Sequence, residues 1–302
     1  MSLLLDVAYM LGLLGAGTAA RWLGLLTTER TDVLTAFAFY LALPALIFSS
    51  TATKSLESVF SPALVFGFLF VLCAVAAVGW VVHRRASSPA TRSVAVVQSY
   101  HTNLGFLGLP IVAMTFGDLV TAKASLLLGV GALVQTPVTV LVLTFLNDAD
   151  ASLRSELRGV VTNPVLAALV VGLVCSATGF VPPAAVLSGA STVGSLALPA
   201  ALLSVGASLS FDADDVDPSI VTSVVALKVL VMPLVALVAF SLLAVDDAGV
   251  KAGTVMLAMP TAISTFVYAD QLGGDTRLAS TTVFTSTVVS LGVVLVLVQF
   301  FG

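Results

Sequence analysis

Charge is what this chain has least of. Of its 302 residues 12 are Lys or Arg and 16 are Asp or Glu, 9% in all, against 59% hydrophobic. Soluble domains hold about 25% charged and 45–50% apolar residues. A fold of this length in water has no means of hiding so much apolar surface, so a soluble enzyme, a nucleic-acid binder and a disordered protein are excluded together. Cysteine is scarce too. Cys73 and Cys175 each lie inside an apolar run without metal-ligand company or a surface disulfide partner, and read as small buried hydrophobes. Strict polar–apolar alternation is missing, which excludes an outer-membrane barrel. No cofactor or metal motif stands out, and none is expected. F-G-D at Asp118 lacks the G-x-G-D of intramembrane aspartyl proteases, and no Ser/His pair has hydrolase spacing.

What is present is length in apolar runs. Mean hydropathy is +1.13, and a spanning helix takes about 20 mostly apolar residues. Turn punctuation divides the chain into ten such segments, approximately 3–24, 32–51, 61–83, 91–116, 120–146, 160–179, 183–210, 219–244, 248–271 and 276–301. The first carries Asp6 and no basic leader, and reads as a retained span. Loops after odd-numbered segments hold Arg21, Arg30, Arg84, Arg85, Arg92, Arg154, Arg158 and Arg277; the other side holds Lys54, Lys123 and Lys251. The positive-inside rule therefore places both termini outside a cell membrane.

The chain also resembles itself. L-A-L-P-A-L-I-F-S at Leu41–Ser49 returns as L-A-L-P-A-A-L-L-S at Leu196–Ser204, 155 positions on. L-G-L-P ending at Pro110 returns as L-A-M-P ending at Pro260, and Ala124-Ser125 returns as Ala279-Ser280. The halves 1–150 and 151–302 are thus two repeats. With five spans each, an odd number, the second must enter the membrane inverted, as in many secondary transporters.

Segments four and nine each hold a proline near mid-span, Pro110 and Pro260. Proline lacks a donor and clashes one turn back; with Asn103, Gly105 and Gly108 nearby, the first of these helices is expected to break. Irregular backbone at membrane depth persists only where protein or water covers it, and matched breaks point to a transport site. The new helix N-termini offer N–H groups to a carboxylate, with Asn103, Thr261 and Ser264 as side-chain donors. Lys228 lies nine residues beyond Ser219, roughly 13 Å along a helix and close to the midplane. It must face the bundle interior, either as counter-charge to an anion, as partner to carbonyls freed at the breaks, or in proton coupling. Pro44 and Pro199 are expected to kink spans that line the cavity, with Ser204 beside them. His101, in the cluster Gln98, Tyr100, His101, is a structural histidine or a proton carrier.

At these motifs the chain resembles the auxin efflux carrier family, which spans plant PIN-type exporters and short-loop prokaryotic relatives. The resemblance rests on N-L-G-F-L-G-L-P-I at Asn103–Ile111, M-P-T-A-I-S-T-F-V-Y-A-D-Q at Met259–Gln271, L-A-S-T-T-V-F-T-S-T at Leu278–Thr287, S-V-G-A-S-L at Ser204–Leu209, Y-L-A-L-P-A in segment two and L-K-V-L-V-M-P in segment eight. It implies an all-α, ten-helix, 5+5 inverted-repeat membrane fold in which helices four and nine cross at Pro110 and Pro260. It further implies a scaffold, a transport domain moving as an elevator, and often a homodimer. Asn103 and the backbone around the two prolines would bind the carboxylate of an organic anion such as indole-3-acetate, malonate or malate. The link between segments five and six is short, unlike the long loop of plant exporters, and favours the prokaryotic branch.

The expectation is a secondary transporter of a carboxylate-bearing organic anion in the plasma membrane, not an enzyme. Its partners are that anion and the lipid bilayer, with no nucleic acid. The alternative is a sodium-coupled organic-anion symporter or a sodium/proton antiporter of the same fold; the antiporter is disfavoured by the lack of carboxylates in 95–115 and 253–269.

Overall fold

The computed structural model describes residues 3–150, 158–159, 162–208 and 216–301. Among them the fold is all helix, without a β-strand. In chain order the helices are α1 (Leu3–Trp22), α2 (Thr28–Thr51), α3 (Pro62–Val82), α4 (Pro89–Tyr100), α5 (Leu104–Thr115), α6 (Asp118–Asn147), α7 (Pro164–Thr178), α8 (Ala184–Ser208), α9 (Pro218–Leu242), α10 (Asp247–Ala258), α11 (Ser264–Gln271) and α12 (Thr276–Phe301). Six stretches are long and apolar enough to cross a membrane: α2, Leu56–Arg85 (which contains α3), α6, α8, α9 and α12. The segments 91–116 and 248–271 are each two helices, α4–α5 and α10–α11.

Local chemistry sets these boundaries. Four helices begin with a polar cap followed by proline: Ser61-Pro62, Ser88-Pro89, Asn163-Pro164 and Asp217-Pro218. Each cap side chain accepts a first-turn N–H, from Leu64, Thr91, Val165 and Ser219 respectively. Inside the spans proline acts differently. Wide π turns at Ala38–Ala42, Leu104–Gly108 and Ala226–Val231 run directly into the helical turns holding Pro44, Pro110 and Pro233. A π turn shifts the carbonyl register by one residue, which accommodates the missing N–H without exposing backbone to lipid.

The helices pack in two groups, each drawing on both halves of the sequence. In the first, α1 lies against α8 and α2 against α7 and α8. Gly17 faces the Leu203 carbonyl and Gly206 the Leu14 carbonyl so closely that a Cβ at either would overlap it, and Thr18 Oγ1 donates to the Gly206 carbonyl at 2.8 Å. In the second group α3–α6 and α9–α12 are tied by partly buried polar contacts. Thr91 Oγ1 donates to Asp275 Oδ2 at 3.0 Å, Asn147 Nδ2 to the Leu272 carbonyl at 2.8 Å, and Lys123 Nζ pairs with Asp246 at 3.2 Å.

Between the groups the contact is mostly apolar, through Leu43, Ile47, Leu202 and Val205 on one side and Leu104, Leu107 and Leu109 on the other. Among the described residues two hydrogen-bonded side-chain contacts cross it: Lys54 with Asp118 at 3.2 Å and Ser50 with Ser125 at 3.3 Å. The outer surface is apolar as well; Phe66, Phe70, Phe145 and Leu242 are exposed, as in a molecule whose solvent is lipid. One expectation is corrected here. Cys175 is buried but Cys73 is exposed, on the outward side of α3, because an apolar run does not say which face meets lipid.

Candidate functional site

The breaks of α4–α5 and α10–α11 meet. Thr102 and Thr261 form an antiparallel bridge: the Asn103 N–H donates to the Pro260 carbonyl at 2.9 Å and the Ala262 N–H to the His101 carbonyl at 3.1 Å. These residues, three from each span, belong to the links between the half-helices, so each break satisfies backbone groups that the other leaves open. Thr261 completes the joint, its Oγ1 donating to the His101 carbonyl and its N–H to Ser286 Oγ.

Asn103 turns this joint into a site. Its Oδ1 accepts the Phe106 N–H at 3.2 Å, capping the first turn of α5, and that bond directs Nδ2 away with no partner among the described residues. Opposite it, α6 supplies Gln135, whose Oε1 accepts the Thr102 N–H at 2.6 Å and whose Nε2 likewise has no acceptor among the described residues. The backbone N–H groups of Gly105, Ile263 and Ser264, at the starts of the two second half-helices, have no partner among the described residues. All five residues line one cavity of about 430 Å³. Its other walls come from α2 (Thr35, Phe39, Leu43), α6 (Leu128, Thr136) and the end of α8 (Ser204, Val205, Ser208), with Phe39 stacked on Phe106 at 6.4 Å. No Lys, Arg, Asp or Glu is among the described residues that line it.

The site residues named from the sequence separate into three sets. Asn103, Gly105, Ser264 and Ser204 face the cavity. Thr261, Pro260 and Gly108 stand behind it: the first two form the joint, and a Cβ on Gly108 would come within 2.7 Å of Met256 Sδ. Pro110 and Pro199 line a second cavity, of about 680 Å³, with Ser49, Ser50, Thr53, Asp118 and Ser191 toward the opposite ends of α2 and α8; Pro44 lines neither. Lys228 is fully buried outside both cavities, and its Nζ donates to the Leu257 carbonyl at 2.9 Å in the last turn of α10. That carbonyl is one freed by the break. His101 Nδ1 lies 2.7 Å from Thr139 Oγ1, which also meets Tyr100 Oη at 3.1 Å.

Gln135 and Thr139 escaped the sequence reading. Their one signal is a Gln-Thr-Pro at 135–137 within an otherwise apolar 30-residue helix, where a buried amide needs a partner.

A bundle of apolar helices around paired breaks, with donors pointing into a cavity, defines a membrane transporter. The membrane transport protein family matches residues 4–156 and again residues 149–298. The chain belongs to this family, that of the auxin efflux carriers, and the double match shows its internal repeat. The family is one of transporters rather than enzymes. No curated protein sequence matches the chain significantly.

Proposed function

We propose that the protein carries a carboxylate-bearing organic anion across the plasma membrane, with the joint between the two broken spans as the binding site. The observation that supports this most is the chemistry of the cavity: two side-chain amides and three open backbone N–H groups converge, with no acidic side chain among the described lining residues. Donors without acceptors suit an anion. The remaining walls join apolar and aromatic side chains (Phe39, Leu43, Leu128, Val205) to the neutral hydroxyls of Thr35, Thr136, Ser204 and Ser208, and no Lys or Arg is among the described residues there. A single carboxylate with a largely apolar body fits them better than a dicarboxylate, whose second charge would be desolvated without a cationic partner.

In this reading ten spans form two inverted repeats, with both termini outside, and cross where residues 101–103 meet residues 260–262 rather than at Pro110, which lies within α5. The helix group α3–α6 with α9–α12 moves as an elevator against α1, α2, α7 and α8. What supports the movement is the apolar contact between the groups and the two cavities, which lie toward opposite ends of α2 and α8. Lys228 holds the Leu257 carbonyl beneath the joint.

The test is charge movement by purified protein in proteoliposomes on solid-supported membranes, challenged with indole-3-acetate, malonate, malate and succinate, with and without sodium. A saturable current for indole-3-acetate exceeding that for the diacids is expected. Currents evoked by sodium or pH jumps alone, with every anion silent, would overturn the reading in favour of the antiporter; an anion current that requires sodium would assign the sodium-coupled symporter.

A further inference from the structure

Where α3 gives way to α4, three arginines stand close in sequence with no ion pair among the described residues. Arg84 and Arg85 are exposed on the short 3₁₀ turn His83–Arg85 that follows α3. Arg92, in the first turns of α4, places its guanidinium carbon 4.5 Å over the Trp80 ring, and its Nε is shut from solvent without an acceptor. The ion pairs among the described residues join Lys54 to Asp118, Lys123 to Asp246 and Lys251 to Asp247, and none involves these arginines.

The neighbouring surface is apolar. Trp80 lies 6.4 Å from Phe145 at the end of α6, and Phe145 is 77% exposed. Val78, Val81 and Val82 on α3 and Leu141 on α6 are exposed beside them. Trp80, Arg84 and Arg85 stand at the end of the membrane-capable stretch Leu56–Arg85, the depth of lipid headgroups, with Arg92 brought to the same level by Trp80, while the valines and Leu141 continue toward the hydrocarbon. Cations at the edge of a low-dielectric slab gain most from an anion drawn into the same layer, and guanidinium groups match phosphate oxygens in geometry.

We propose that Arg84 and Arg85, on the turn that follows α3, together with Arg92 over the Trp80 ring, form a binding site for an anionic phospholipid. Its phosphodiester faces the arginines and one acyl chain lies along Val81, Leu141 and Phe145. The proposal depends on the chain's being a membrane protein and not on which solute it carries.

The chain has two tryptophans, Trp22 and Trp80, and Trp22 is 86% exposed, so Trp22→Phe leaves Trp80 as the sole reporter. Its fluorescence is measured in mixed bilayers doped with phosphatidylglycerol or phosphatidylcholine brominated on the acyl chains. The expected result is quenching at a lower mole fraction of the brominated phosphatidylglycerol, about fivefold for each arginine engaged. The preference weakens in high salt and is lost in Arg84→Gln/Arg85→Gln/Arg92→Gln. Equal quenching by the two lipids overturns the proposal, as does a preference that survives the triple substitution in a protein with an unchanged elution profile. Should the triple variant not fold, competition in the Trp22→Phe protein decides: unbrominated phosphatidylglycerol must relieve the quenching and phosphatidylcholine must not. Relief by water-soluble glycerophosphoglycerol alone would assign the arginines to a free phosphodiester and overturn the lipid site.

Discussion

Asn103 does two jobs with one amide. Its oxygen caps α5 and its nitrogen faces the cavity. Asn103→Ala removes both, and the loss of a hydrogen bond to a charged partner is worth about 1.5–3 kcal/mol. The half-saturation concentration for the transported anion is expected to rise at least tenfold in proteoliposome currents, in protein that still purifies as a folded species. Asn103→Asp keeps the cap and places a carboxylate in the cavity, so it should silence the current more completely than alanine does. Lys228 makes the contrasting prediction. Because it touches the Leu257 carbonyl and not the cavity, Lys228→Met should lower the thermal midpoint, by leaving a buried acceptor open at about 1–3 kcal/mol. Half-saturation should shift by less than threefold. A large rise in half-saturation with an unchanged midpoint would make Lys228 a direct counter-charge instead.

Single helices are shaped by where backbone groups find partners when water is absent. Caps followed by proline start four of them, and π turns ahead of Pro44, Pro110 and Pro233 absorb the donor that proline lacks. All of this is legible in the sequence, because Ser-Pro, Asn-Pro and mid-span proline act within one or two turns. Close approach of two helices is not legible in the same way. Gly12 and Gly206 look alike in sequence, yet a Cβ on Gly12 meets nothing while one on Gly206 overlaps the Leu14 carbonyl. Gly206→Val must push α1 from α8, and backbone cannot yield as a side-chain tip does. It should abolish the monodisperse peak in fluorescence-detected size exclusion, whereas Gly12→Val should leave that peak intact.

On the scale of the whole molecule, two helix groups touch across an apolar seam crossed by Lys54–Asp118 and Ser50–Ser125. The exposed ion pair is weak, at about 0–1 kcal/mol, and would yield readily to the proposed movement. If the groups slide, joining residues 54 and 118 stops them. With Cys73 and Cys175 replaced by alanine, Lys54→Cys/Asp118→Cys bridged by a short bifunctional thiol reagent with a cleavable disulfide should lose its anion current and regain it on reduction. Undiminished current in a fully bridged sample would show that transport does not separate these residues.

The sequence by itself determined the solvent of this protein, its helical segments, its internal repeat and the places where two spans break, because each follows from local apolar length, turn residues or proline. Asn103, Gly105 and Ser264, which line the cavity, were open to notice in the sequence for the same reason: they sit at the breaks. Only the tertiary structure decided which side each helix turns inward. It brought Gln135 opposite Asn103, set Thr35 and Ser208 in the cavity wall, sent Lys228 to the Leu257 carbonyl and left Cys73 facing outward. In water a helix declares its buried face by polarity. In a bilayer both the lipid face and the packed face are apolar, so the inward side emerges only when glycines, amides and broken backbone from distant parts of the chain meet.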